Sequence, residues 1–150
     1  MASILITGAT GFVGRSLVPA LICAGHQVRC AVRTTIDKLE AEQILINSIE
    51  DQHDWAQALD SIEVVIHLAA RVHIMKESSD DSLNKYCEIN TIATRKLAEQ
   101  AAKHQVKRFI FLSSIKVNGE ETSVGKPFTE ESIANPDDPY GKSKWLAEQH

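Results

Sequence analysis

The stretch Ser3 to Gly14, SILITGATGFVG, decides the fold. Its first five residues, Ser3 to Thr7, are aliphatic and β-branched, the composition of a short buried strand. Gly8, Gly11 and Gly14 follow at once and open a helical pattern. A strand running through a glycine turn into a helix N-terminus forms a phosphate cradle, because unpaired N–H groups and the positive end of the helix dipole face the same point. Gly8 then allows the tight turn, Gly11 the close approach of a pyrophosphate, and Gly14 the packing of helix on strand. A ligand-free glycine turn is the plainer alternative, and its place in the first strand-to-helix connection argues against it.

Outward from that turn, short apolar runs at 3–7, 27–32, 43–46, 63–68 and 108–113 read as five strands. Helical patterns at 12–24, 53–59 and 81–103, with a weak one near 37–42, separate them. Strands apolar on both faces and divided by helices predict a parallel sheet covered on both sides, an α/β doubly wound fold of Rossmann type. In the long helix, Leu83, Tyr86, Ile89/Asn90, Ala93, Leu97 and Ala101 form one apolar stripe, while Cys87, Ile92 and Thr94 lie off it and offer a surface for a homodimer. Residues 115–139 hold Gly119, Gly125, Pro127, Pro136 and Pro139 without periodicity, and a loop this long is usually functional or disordered.

The bulk composition narrows the classes. A chain of 150 residues that is 43% hydrophobic and 24% charged fits one packed domain. A net charge of -4 with scattered Lys and Arg gives no footprint for nucleic acid. No apolar run is long enough to span a bilayer, no basic leader opens the chain, and a cytoplasmic protein is expected. Cys23, Cys30 and Cys87 are odd in number, far apart and in apolar or helical contexts, so they read as reduced core thiols with no metal role.

The second informative stretch is Asp138 to Lys144, DPYGKSK. Asp138 and Pro139 read as N-cap and first helical residue. Tyr140 and Lys144 then share one helix face at i and i+4. A phenol is a poor base at neutral pH, and a neighbouring cation with a favourable helix dipole supports its ionised form, which suits Tyr140 to general acid/base work. A lone YxxxK on an amphipathic helix is more often surface decoration, so the upstream features carry the weight. Ser114 follows the fifth strand, at the carboxyl edge where open α/β sheets place ligands.

Taken with VVIHLAA (64–70), NTIAT (90–94), FLSSIKVNG (111–119) and PYGKSK (139–144), the glycine turn resembles the extended short-chain dehydrogenase/reductases, in particular the NAD-dependent epimerase/dehydratase family of nucleotide sugars. The resemblance covers essentially the whole chain. It implies a catalytic triad of Ser114, Tyr140 and Lys144, with Lys144 also holding the nicotinamide ribose. Ser113 is the neighbour most easily confused with Ser114. For the cofactor it implies Gly8, Gly11, Phe12, Val13 and Gly14 in the turn, Leu68, Ala69 and Ala70 after the fourth strand, and Asn90 in the long helix, which also reads as a buried polar residue satisfied by backbone. His73 matches a histidine of some dehydratases and equally a solvated loop residue.

Two features depart from the family pattern. An acid normally follows the second strand to bind the ribose of NAD, and here Arg33 and Thr34 stand there. Arg33 suits a 2′-phosphate, so NADP is favoured over NAD. Ser48 and Ile49 occupy the adenine position after the third strand. Where related dehydratases carry an Asp-Glu pair, this chain has Ile115 and Lys116, so elimination lacks its acid and base. The resemblance then implies hydride chemistry at sugar C4, either epimerisation or reduction of a 4-keto sugar, on a substrate that is UDP-linked. A non-catalytic NADP-sensing regulator on the same fold is the alternative. The sequence ends within a helical pattern and lacks a stop signal, so residues 1–150 are expected to be the NAD(P)-binding Rossmann domain of a longer enzyme, inactive alone, with a sixth strand and a substrate lobe beyond.

Overall fold

The computed structural model describes residues 1–72 and 79–150. It comprises two compact units, residues 1–70 with 96–112 and residues 71–95 with 113–150.

In the first unit, β1 (Ser3–Thr7) is the central strand of a parallel sheet ordered β3-β2-β1-β4-β5. Its neighbours are β2 (Gln27–Val32) and β4 (Val64–His67), flanked by β3 (Glu42–Leu45) and β5 (Arg108–Phe111). The register sets Ile6 beside Cys30 and Ile66, and Leu5 beside Val65. Because side chains alternate across a strand, these rows feed two cores. Leu5, Ala31 and Val65 join Trp55, Leu59, Leu97 and Ala101 on one side. Ile4, Ile6, Val28, Cys30, Val32 and Ile66 pack with Val18 on the other. Val18 comes from α1 (Gly14–Cys23), and Leu59 from the short α2 (Ala56–Leu59). Burying a leucine or isoleucine here contributes about 1.5–3 kcal/mol. The strand order reverses at β1, between β2 and β4, and the carboxyl ends at such a reversal form the ligand crevice of open α/β sheets. The expected doubly wound fold is the one observed.

Several local expectations need correction. The weak helix near 37–42 is a turn followed by β3, because Glu42 pairs with Arg29 in the sheet and the Gln43 amide bonds both N–H and C=O of Ile36 at 2.9 and 3.0 Å. The helix expected over 53–59 is only Ala56–Leu59, as Asp54 bonds Ala56 N at 2.8 Å and so fixes its start. Outer strands β3 and β5 are not buried on both faces: Leu45 and Ile110 are exposed. Of the cysteines, Cys30 alone is buried, and burial pushes its thiol up to about 11. Cys23 is exposed and Cys87 half-buried, so neither is a core thiol.

The long helical segment runs as α3 (Ser79–Cys87), a π-helical turn (Glu88–Ile92) and α4 (Ala93–Lys103). Tyr86, Asn90, Ala93, Leu97 and Ala101 are buried as the stripe predicts, whereas Leu83 is exposed. Thr94, read as off the stripe, is buried and donates to Asn90 O at 2.7 Å. The second unit also holds a single 3₁₀ turn (Ile115–Val117) and α5 (Pro139–Glu148). Among the described residues no helix is long and apolar enough to cross a membrane. His73 lies outside the described residues.

Candidate active site

The first unit holds the glycine turn. Gly8 has φ +74, and a Cβ there would lie 2.6 Å from Ala69 N, so the turn closes directly on the residues after β4. A Cβ on Gly14 would sit 2.4 Å from Gly8 O. Gly11 is different: it is exposed, and its nearest obstacle is Gly8 O at 3.2 Å. Phe12 and Val13 are exposed beside it. The N-cap of α1, Val13, makes no side-chain cap, and no acid stands in the first turn. Glycines that keep the backbone bare and a helix start without a competing carboxylate suit a pyrophosphate, so these residues fit a dinucleotide.

Thr7 and His67 complete this edge. Ala69 N donates to Thr7 Oγ1 at 3.3 Å, and that hydroxyl meets His67 Nδ1 at 2.6 Å with both residues fully buried. The contact ties the ends of β1 and β4, where Leu68, Ala69 and Ala70 are half-buried. Neither Thr7 nor His67 stands out in the sequence, because each lies within an apolar strand. Arg33 is exposed directly after β2. Ser48 donates its hydroxyl to Asp51 at 2.6 Å, and Ile49 packs on the Trp55 core.

The second unit holds Asp138, Tyr140 and Lys144. Asp138 caps α5 by accepting from Gly141 N at 2.5 Å, with Pro139 in the first turn, as the sequence predicts. Tyr140 therefore starts the helix and Lys144 follows one turn on. The Tyr140 ring lies edge-on to Tyr86 at 6.1 Å, and Tyr86 carries the Arg71 guanidinium over its face at 5.7 Å. Asn90 is fully buried: its Oδ1 accepts from Arg71 N at 2.8 Å, and its Nδ2 donates to Arg71 O at 3.0 Å and to Ser143 Oγ at 2.9 Å. Ser143 in turn donates to Tyr140 O at 2.7 Å, and Thr91 donates to Ser143 O at 2.8 Å. One amide hydrogen of Asn90 is thus committed to Ser143, in the helix that carries Tyr140, and the other to the backbone at Arg71. The π-helical turn places Asn90 and Thr91 together on Ser143, and such turns gather at functional sites.

Ser113 and Ser114 separate by their partners. Ser113 donates to Glu148, whereas Ser114 Oγ accepts from Lys116 N at 3.3 Å as the cap of the 3₁₀ turn, which leaves its proton to donate elsewhere. In the sequence Lys116 marks only the place of a missing acid, yet its ammonium bonds Asp138 and lies 2.9 Å from Glu120. Those two carboxylates hold it above the ordinary lysine value. Partial burial pushes the Asp138 carboxyl up, but the Gly141 N–H and Lys116 outweigh it and keep it below the carboxylate range.

Burial pulls Lys144 down to about 8, against an opposing pull from Glu148. Between about pH 8 and the value of the unfolded chain near 10.5, the unfolded state therefore holds more protons, and stability rises with pH. The climb amounts to roughly 3 kcal/mol at about 1.4 kcal/mol per unit. Denaturant titrations at pH 7.5 and 10 are expected to differ by about that much for the wild type relative to Lys144→Met, which lacks the group; equal pH dependence in the two proteins would contradict it.

The model of the NAD dependent epimerase/dehydratase family matches residues 4–150. A UDP-glucose 4-epimerase of Vibrio cholerae is 45% identical over 148 residues, covering 98% of this chain and 45% of that protein. A short-chain dehydrogenase/reductase superfamily protein from Agrobacterium tumefaciens, solved with bound NAD, superposes with a TM-score of 0.82 at 33% identity over 98% of this chain and 43% of its own. UDP-glucose 4-epimerase from Thermotoga maritima, solved with UDP-glucose, gives 0.79 at 32% identity over 98% and 49%. The chain spans about half the length of these relatives.

Proposed function

The chain belongs to the NAD-dependent epimerase/dehydratase family, and on that premise we propose that the full-length protein moves hydride at C4 of a UDP-linked sugar, as a 4-epimerase or a 4-keto reductase. The observation that carries this reading is the Tyr140–Lys144 pair at the start of a helix capped by Asp138 and held by Asn90 through Ser143. A binding module needs no such pair, and the regulator alternative has no comparable support.

In this reading a nicotinamide cofactor, when bound, would supply hydride exchange at C4, taken up and returned in epimerisation or given to the keto carbon in reduction. Gly8, Gly11 and Gly14 with the start of α1 hold its pyrophosphate, and Lys144 its ribose. Tyr140 takes the proton of the sugar 4-hydroxyl as C4–O becomes a carbonyl, and gives one back in the reverse step. Ser114 donates a hydrogen bond to the same oxygen. A homodimer through the segment at 81–103 is part of the proposal, supported by Ile92, which is exposed on it. Residues 1–150 alone are expected to show no turnover, and the cytoplasm is the expected compartment.

For the cofactor we favour NADP. Arg33, exposed where an acid would select NAD, is positioned in sequence to read a 2′-phosphate. A charge-assisted contact contributes about 1.5–3 kcal/mol, or roughly tenfold to a hundredfold. Titration of the wild type should show that preference and Arg33→Ala should erase it; equal affinities in the wild type would refute it. Function itself is tested by incubating the full-length protein with UDP-hexoses and following C4 inversion or nicotinamide absorbance; bound cofactor without any sugar conversion would favour the regulator.

A further inference from the structure

We propose that the Lys116–Asp138 ion pair is a latch that sets the start of α5, and with it Tyr140, against the turn that carries Ser114, which makes Lys116 a positioning residue. Six contacts meet at this point. Ser114 Oγ accepts from Lys116 N at 3.3 Å, and Val117 N closes the turn on Ser114 O at 3.1 Å, so the backbone at Lys116 is fixed to the Ser114 hydroxyl. The Lys116 ammonium bonds Asp138, the residue whose other oxygen caps α5 through Gly141 N. Glu120, four residues on, holds the same ammonium at 2.9 Å. Gly141 completes the arrangement: a Cβ there would lie 2.7 Å from Lys116 O, so the first turn of α5 rests directly on the Lys116 backbone.

The two hydroxyl-bearing segments are thereby joined twice, once by charge and once by backbone contact. Residues 116 and 138 are separated by a long stretch of irregular chain that supplies no regular ladder to fix their spacing. Lys116 touches no reacting atom in this reading, and its effect runs through the relative placement of Ser114 and Tyr140. Misplacement of paired groups by a fraction of an ångström lowers the rate of a positioned reaction without changing how tightly substrate binds.

The kinetic consequence rests on the proposed function, whereas the structural one does not, and the experiment separates them. Hydrogen exchange is measured on the full-length wild type, Lys116→Met, Lys116→Arg and Asp138→Ser, where serine keeps the cap but not the charge. Lys116→Met and Asp138→Ser should each raise exchange about fivefold at 115–118 and 140–142 together, the scale of one partly exposed ion pair. Lys116→Arg should keep wild-type protection, and the double variant should add nothing to either single one. In sugar turnover, Lys116→Met should lower kcat about tenfold with KM and cofactor affinity within about twofold, and Lys116→Arg should restore it. Unchanged exchange in either segment, additive effects in the double variant, or wild-type kcat with raised exchange would overturn the latch. A wild-type protein that turns over no nucleotide sugar would instead sink the proposed function, and the exchange data would still decide the latch.

Discussion

Replacing Tyr140 by Phe in the full-length protein is expected to lower the turnover proposed for it by about 10²–10⁴, the usual share of positioned acid–base catalysis. The substitution removes one oxygen and nothing that shapes the site. Phe keeps the edge-on contact with Tyr86, and the backbone oxygen at 140 still accepts from Ser143. Folding and cofactor affinity should therefore stay at wild-type values, so the loss appears in kcat rather than in KM. Steady-state rates beside a cofactor titration decide it. A variant that turned over at the wild-type rate would remove Tyr140 from the chemistry and leave the pair a packing feature.

The second large effect separates two glycines of one turn. Gly14→Val drives a side chain into Gly8 O at 2.4 Å and Ala9 O at 2.6 Å, backbone atoms that cannot swing aside. It should destabilise the protein by about 1–3 kcal/mol or more and abolish cofactor binding. Gly11→Val meets only Gly8 O at 3.2 Å on an exposed surface, so Tm should change little. Its branched side chain instead occupies the space where a pyrophosphate must approach the backbone, and affinity should fall about a hundredfold or more, close to 3 kcal/mol. Thermal melts and cofactor titrations of the two variants test the contrast. Unchanged affinity in Gly11→Val would show that the cofactor does not approach there.

What could be read from residue order alone was the part dictated by local pattern. The strand, the glycine turn and the Asp138-Pro139 helix start each contain their own signal within a few residues, and each stands where the pattern puts it. The weak helix at 37–42 failed because a short polar run ahead of a strand can carry helical spacing by chance, and only the turn held by the Gln43 amide on Ile36 shows otherwise. The π-helical turn was invisible, since Tyr86, Asn90, Ala93 and Leu97 keep nearly helical spacing whether or not one turn widens. Cys23 sits in an apolar run but on the outer side of α1, a distinction that needs the sheet. The supports of Tyr140 were the hardest to foresee: Ser143 looks like any small helical residue until Asn90 reaches it, and Lys116 finds Asp138 only because the loop between them folds back.

The most direct test of the whole reading follows the hydrogen itself. Full-length protein charged with oxidised cofactor is given UDP-hexoses carrying deuterium at C4, and the nicotinamide is analysed for label. The account predicts that at least one of these sugars passes its C4 deuterium to the cofactor, with reduced nicotinamide absorbance rising in the wild type and not in Tyr140→Phe. Tight cofactor binding with no label transferred from any UDP-hexose would contradict it and leave a binding protein on the same fold.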